Sequence, residues 1–525
     1  MKNIFKFLLA TTFLISSCKK NINTDPLSNL TVSDFYQNTI QIQSALAGCY
    51  NGLQAPLLEE WKMTELRSDN GIMGSAGSKS APNKDLSDLD LFQLSTSHQG
   101  LYNYWSSCYY NIRNINVLLN SLNINYNETT GAISKDPTTV TISTNDFKKY
   151  SAEATCLRAY HYFNLVRLFG GVFLVHEPLH PLDAVNVNRS SVADMYKLII
   201  ADLQYAIANG VGVTYATIPS IDLGRVNAWT AKALLAKVYL TLNRKTDAIP
   251  LLNDIIANSG YGLLPNYADI FSTSNEMNKE ILFAVRYKAG GLGIGSPFQN
   301  LFAPSLSGAA IVNGDGGGQN VGTYELETSY SVGDARKAVN IAIWPSATTA
   351  VTSTSRSVYA KKFITPVSNV NDGEGDWMVI RYADVLLMLA EAQGNTTASL
   401  GLINQTRARA GLSATPLTPI TVPTDQRFAD SLSKERRLEF AFENVRYFDM
   451  LRFNTTLPAQ SQDAVARIKA NYSFLYATYY GKYPSPAPSL ATIQSFVTND
   501  KLLLPIPQHE IDNNTRIVIP QNPGY

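Results

Sequence analysis

The chain predicts a mostly α fold of paired helices, interrupted by one long irregular region, and three observations lead there. Apolar residues recur at spacings of three and four along most of its length. Several of these stretches follow one another closely, with small and large residues alternating as they do between packed helices. The stretch 286–375 lacks that period and is rich in glycine, serine, threonine and asparagine.

The first element is not part of the folded body. Lys2 and Lys6 precede an apolar run from Phe7 to Ile15 (Ile4 to Ile15 if the break at Lys6 is counted through), and the small residues Ser16 and Ser17 precede Cys18. A basic start, a short apolar core and small residues make an export signal. The run is too short for the roughly 20 residues of a spanning helix. A cysteine after Ile15-Ser16-Ser17 looks like a lipoprotein processing site. Residues 1–17 therefore read as a signal peptide, Cys18 as the acylated first residue of the mature chain, and 18–30 as a polar tether. Several acyl chains, at about 0.8 kcal/mol per buried CH₂, hold a protein on a membrane where one would not.

Helical periodicity begins after Thr31-Val32-Ser33-Asp34, where Thr31 or Ser33 can cap the exposed amides. It covers roughly 34–54, 99–122, 147–169, 190–208, 228–242, 246–258, 379–393, 398–410 and 430–453. The stretches 70–97 and 124–145 read as loops. Between 153 and 169, Leu157, Tyr160, Phe163, Val166 and Phe169 fill one face before Gly170-Gly171 ends the helix. Between 434 and 453, Leu438, Phe442, Val445, Phe448 and Leu451 form a seam. Leu235, Ala236, Tyr239, Ala248 and Leu252 fit a tetratricopeptide-like helix pair, and the pairs at 147–208 and 379–410 are expected to stack beside it. The body 31–525 divides into a helical part (31–285), the irregular candidate ligand-facing region (286–375), and a second helical part with a closing strap (376–525). Leu502-Leu503-Leu504-Pro505-Ile506-Pro507 reads as extended, since its prolines exclude a helix.

Composition narrows the function. With 43 Lys and Arg against 42 Asp and Glu, the net charge is +1, and only 16% of residues are charged. Phosphate binding wants a clustered basic excess, so nucleic acid is not an expected partner. Uncharged polar groups and 28 tyrosines suit neutral, hydroxyl-rich ligands. Cys49, Cys108 and Cys156 lie among apolar neighbours at no metal-ligand spacing and read as buried thiols; a Cys49–Cys108 bridge is the alternative.

Motifs that suggest chemistry lack its context. His176-Glu177-Pro178-Leu179-His180 matches H-E-x-x-H, which needs a helix to put both imidazoles on one face, and Pro178 and Pro181 oppose a helix. The glycines at 290–295 and 314–318 have neither the dinucleotide nor the P-loop spacing. Asn371-Asp372-Gly373-Glu374-Gly375-Asp376 lacks calcium-loop spacing and reads as a solvated turn. No cofactor and no metal site is expected.

Five segments together resemble the SusD/RagB family of outer-membrane nutrient-binding lipoproteins. They are AEATCLRAYHYFNLVRLFGGV (152–172), GRVNAWTAKALLAKVYL (224–240), IRYADVLLMLAEAQ (380–393), LSKERRLEFAFENVRYFDMLRF (432–453) and LLPIPQHEIDNNTRIVIPQNPGY (503–525). The resemblance implies a SusD-like helical fold with four tetratricopeptide-like units and no catalysis. It also implies a binder of oligosaccharides, or in some relatives peptides, that serves a TonB-dependent, SusC-like transporter at the outer membrane. Relatives exposed on the surface often carry acids after the cysteine, whereas Lys19-Lys20 follow here. Arg158, Arg381, Glu435 and Arg446 fall in the resembling segments and are expected to make structural ion pairs.

Binding residues do not transfer by motif in this family. A sugar site needs aromatic faces and side chains that orient hydroxyls. The candidates are Trp344 in the irregular region, Tyr102 and Tyr104 at a helix start, and Asp69-Asn70 at a loop start. Trp105 and Tyr109 are expected in the core, and Trp377 at the start of a helix, packed against it. Two rival functions stay open: a peptide- or protein-binding lipoprotein, and an envelope hydrolase with a carboxylate pair or metal in a cleft.

Overall fold

The computed structural model describes residues 35–74, 83–346, 348–350, 356–457, 460–482, 486–514 and 516–525. The signal peptide, Cys18, the tether and the proposed caps Thr31 and Ser33 lie outside the described residues. The first long helix, α1 (Thr39–Asn51), is capped instead by Asn38, whose Oδ1 accepts from the amides of Ile40 and Gln41. Helices α2 (Gln54–Thr64), α3 (Asn83–Asp90) and α4 (Gln99–Ser121) follow.

The scaffold is a succession of helical hairpins. Helix α5 (Thr144–Phe169) pairs with α6 (Val192–Asn209), α7 (Ala228–Thr241) with α8 (Lys245–Asn258), and α9 (Tyr382–Gln393) with α10 (Thr397–Arg409). Helix α6 also packs on α7 and α8 on α9, so the three pairs stack in order, as the small/large pattern predicted. Side-chain oxygens of Ser143, Ser191, Asn227 and Thr396 cap α5, α6, α7 and α10. Gly170 ends α5 at φ 73°, a conformation that costs glycine little. Helices α11 (Asp425–Glu439), α12 (Arg446–Thr456) and α13 (Ala464–Leu475) close the body.

Arginines hold these helices together from inside. Arg158 reaches Asp202 through two bonds of 2.8 Å, tying α5 to α6. Arg381 reaches Glu280, Glu439 and Glu443, each at 2.9 Å. Glu435 takes Arg336 at 2.6 Å, and Arg446 takes Asp69 at 2.6 Å. All four residues expected to be structural are in buried pairs. Cys49, Cys108 and Cys156 are free and buried, so the Cys49–Cys108 bridge does not form; burial pushes the Cys49 thiol up to about 12.

Four expectations about elements need correction. Residues 377–381 are a strand and not helix, because this stretch pairs with residues 281–285. Trp377 thus opens a strand; it is buried and stacks on Phe363 at 4.6 Å. The predicted helix 430–453 breaks between α11 and α12, where Phe442 and Asn444 adopt positive φ so that the chain can turn. The stretch 70–97 contains α3, and 124–145 contains a hairpin of Ile124–Asn127 with Ala132–Lys135. The closing strap is extended as expected: Leu504 donates to the Leu168 carbonyl, and Asn522 donates to the carbonyls of Phe169 and Leu504.

The described strands form two-stranded antiparallel ribbons: β1 (Gly71–Ile72) with β5 (Val321–Gly322), β2 (Ile124–Asn127) with β3 (Ala132–Lys135), β4 (Ile281–Val285) with β8 (Trp377–Arg381), and β6 (Ile341–Trp344) with β7 (Ser357–Ala360). The β4–β8 ribbon gives the irregular region its shape. The chain leaves the scaffold along β4 and returns along β8, so the region is a closed excursion on a two-stranded stem. Among the described residues, no helix is long and apolar enough to cross a membrane.

Candidate functional site

The excursion reaches back to the amino-terminal helices through β1 and β5, which pair Gly71 with Gly322 and Ile72 with Val321. The approach is close enough that a Cβ on Gly74 would lie 1.7 Å from the Gly318 carbonyl oxygen. Just beyond β5, Thr323 donates its hydroxyl to the Asp69 carbonyl and caps the short helix Tyr324–Ser329 by accepting from the Leu326 amide. Tyr324 is thereby presented at the surface.

There it meets groups from two other elements. Its ring stacks on Phe474 of α13 with centroids 6.0 Å apart and planes 22° from parallel. Phe474 is 49% exposed. The Arg356 guanidinium lies 5.9 Å from the Tyr324 ring and donates to Glu327 at 2.5 Å. Arg356 directly precedes Ser357, the residue that pairs with Trp344 across the β6–β7 ribbon. Trp344 is half-buried and ends β6. Tyr324 and Phe474 thus form an aromatic surface where the excursion meets α13, with Arg356 packed beneath the Tyr324 ring and Trp344 in the adjoining ribbon.

Asp69 and Asn70 belong to this neighbourhood but lie under it, which corrects their expected role as ligand contacts. Asp69 is only 6% exposed and takes Arg446 through bonds of 2.6 and 2.7 Å. Asn70 is fully buried and accepts from Arg437 at 2.8 Å. Arg437 also reaches the carboxylate of Glu325, beside Tyr324. Burial alone would raise the Asp69 carboxyl, but the guanidinia of Arg437 and Arg446 hold it well below the usual carboxylate range. The pair is a foundation for Tyr324.

Tyr104 also stands corrected. It is fully buried, donates to Glu60 at 3.2 Å and stacks near Phe169, because position 104 falls on the inner stripe of α4. Tyr102, two residues earlier, is half-buried and lies 4.2 Å from the His509 ring of the carboxy-terminal segment. Trp105 is buried as expected; Tyr109 is half-buried and packs against the core. Of the residues singled out from sequence, Trp344 ends β6 opposite Ser357, next to Arg356, and Asp69-Asn70 lie beneath Tyr324.

Sequence reasoning missed Tyr324, Arg356 and Phe474. Phe474 carried a readable signal: Ala464, Ile468, Tyr472 and Leu475 make the buried stripe of α13, and Phe474 falls off it. Tyr324 and Arg356 carried none, since they stand on separate elements of the irregular region and only its folded course puts them side by side.

The other marked motifs serve the fold. Asp372 accepts from the amides of Gly290 and Gly291 at 3.0 and 2.8 Å, Glu374 pairs with Lys288, and Asp376 pairs with Arg286 at 2.6 Å. The acidic turn is therefore a clasp on the glycine loop. Residues 174–180 contain no helix; His176 meets Glu128 at 2.9 Å, while His180 accepts from the Leu182 amide. Among the described residues, no group of three or more His, Cys, Asp or Glu could hold a metal.

The geometry defines a class: a stack of helical hairpins carrying a loop-built aromatic surface. A family model described as "SusD family" matches residues 317–525, and one described as "Starch-binding associating with outer membrane" matches residues 27–240. The chain belongs to the SusD/RagB-like family. A SusD-like protein of Bacteroides ovatus is 25% identical, over 100% of this chain and 98% of that protein. A laminarin binding SusD-like protein of known structure superposes with a TM-score of 0.73 at 24% identity, over 93% of this chain and 100% of that one. Surface glycan-binding protein A from Bacteroides thetaiotaomicron, solved with laminarihexaose, superposes with a TM-score of 0.70 at 20% identity, over 93% and 100%.

Proposed function

We propose that this protein binds a neutral oligosaccharide without turning it over, on the surface formed by Trp344, Arg356, Tyr324 and Phe474. The observation that carries the reading is the stack of half-buried Tyr324 on exposed Phe474, with Arg356 against the Tyr324 ring. Aromatic faces pack against the C–H faces of sugar rings, and the Arg356–Glu327 pair, bonded at 2.5 Å, braces the Tyr324 ring from below. The near-zero net charge suits an uncharged ligand. Relatives with the same fold described as laminarin binding or solved with laminarihexaose support the ligand class.

The protein works at the outer membrane, held through an acylated Cys18 and given reach by the tether of residues 18–30. It hands its ligand to a TonB-dependent transporter. Incubation with a panel of glycans, laminarin oligosaccharides first among them, tests the reading. Saturable binding without new reducing ends is expected. New reducing ends would point to the hydrolase, and a pull-down retaining peptides but no sugars would point to a peptide binder.

A further inference from the structure

Helices α2, α3 and α4 enclose a second concavity that the aromatic surface does not use. Its volume is about 170 Å³, and Glu59, Asp85, Leu86, Leu89, Asn103 and Gln319 line it. That is room for about half a dozen waters at ~30 Å³ each, and below the roughly 300–1,000 Å³ of sites for drug-sized ligands. The space suits one sugar ring, not a chain.

Its lining is suited to such a ring. Leu86 and Leu89 supply an apolar wall, while carboxylate and amide groups supply acceptors and donors. Among the described residues, no side chain pairs with the Asp85 carboxylate or the Gln319 amide, so both are available to a ligand. Glu59 is already offset by Lys62 at 2.9 Å. The His98 ring is used by the fold, which places its nitrogens on the Asp85 carbonyl and the Leu101 amide. The uncompensated charge is that of Asp85, which disfavours an anionic ligand.

The cavity also lies close to the aromatic surface. Gln319 precedes Tyr324 by five residues, at most about 18 Å of extended chain. Leu89 adjoins Asp90, which accepts from Tyr480 at 2.8 Å, a few residues beyond Phe474.

We infer that this cavity is a second subsite taking a single neutral hexose unit, carried as a branch on a glycan whose main chain lies across the aromatic surface. The inference rests on the oligosaccharide reading, and the test separates the two. Saturation-transfer NMR with free glucose, galactose, mannose and glucuronate reads the cavity, and titration with linear oligosaccharides reads the aromatic surface. At least one neutral hexose is expected to give a signal and glucuronate none. Asp85→Ala should cut that signal at least tenfold while linear oligosaccharide binding is unchanged, and Trp344→Ala should do the reverse. Asn103→Phe, at an exposed helix position, should block the cavity mouth without disturbing the fold. Absence of a signal from every neutral hexose, or a signal that survives both Asp85→Ala and Asn103→Phe, overturns the subsite. Absence of linear oligosaccharide binding by the wild-type protein, with the hexose signal retained, would overturn the oligosaccharide reading and not the subsite.

Discussion

In the helical scaffold and the β8 strand that joins it, Arg158, Arg381, Arg436 and Arg452 are buried against carboxylates at 2.7 to 2.9 Å. At the glycine loop that opens the excursion after β4, Arg286 and Lys288 meet their partners from side chains 40% and 60% exposed, whereas Arg336 and Lys362 farther along are buried against Glu435 and Glu443 like the scaffold's arginines. The two regions use the same chemistry in different dielectrics. A buried pair that loses one partner strands a charge where water cannot reach it. A surface pair that loses one partner is resolvated. The scaffold, together with Arg336 and Lys362 of the excursion, is therefore intolerant of change where it carries charge, and the exposed glycine loop can vary while the stem holds.

The comparison breaks most readily at Arg381. Arg381→Ala leaves Glu280, Glu439 and Glu443 short of a cation and should cost about 3–5 kcal/mol, seen in thermal or denaturant unfolding. A loss below about 1 kcal/mol would mean that the hub is not holding the helices.

Two carboxylates sharpen it through pH. Asp69, held low by arginines, contributes stability above the unfolded value of about 3.9 that is lost as pH falls below it. Asp90 has the opposite sign. It is buried, receives Tyr480 and the Met73 amide, and pairs with no cation among the described residues; burial raises it to about 7. Its folded form holds a proton that the unfolded chain releases above about 3.9. Its contribution should fall by on the order of 1.4 kcal/mol per pH unit between about 4 and 7. Asp90→Asn should remove that slope in unfolding curves measured at several pH values; an unchanged slope would reject the assignment.

Phe474→Ala should weaken glycan binding about twofold to tenfold, the worth of one aromatic contact at about 0.5–1.5 kcal/mol, and leave the melting temperature nearly unchanged because the ring is exposed. Calorimetric titration beside a thermal melt reads both. The smallest effect belongs to Lys288→Met, which removes an exposed pair and should leave the melt and the titration at wild-type values.

The same contrast explains what could be read from sequence. The hairpins of 147–208, 228–258 and 379–410 were legible because helical periodicity is local, and Gly170 is a local signal too. The end of β8 was not legible: Trp377–Arg381 is as apolar as the helix it precedes, and only its pairing with Ile281–Val285 makes it a strand. Asp69 was misjudged for a related reason. An acid at the edge of a polar stretch looks exposed until Arg446, hundreds of residues away, is placed upon it. Trp344 stood out because tryptophan is rare in loops, whereas Tyr324 and Arg356 acquire their meaning only from the ribbon and helix that bring them together.

The account stands on an aromatic surface that binds a sugar chain without cleaving it. Calorimetric titration of the wild-type protein and Trp344→Ala with a glycan selected from the panel tests it most directly. Saturable wild-type binding, weakened about tenfold or more in a variant that melts normally, is the predicted result. Equal affinity in the two proteins would contradict it.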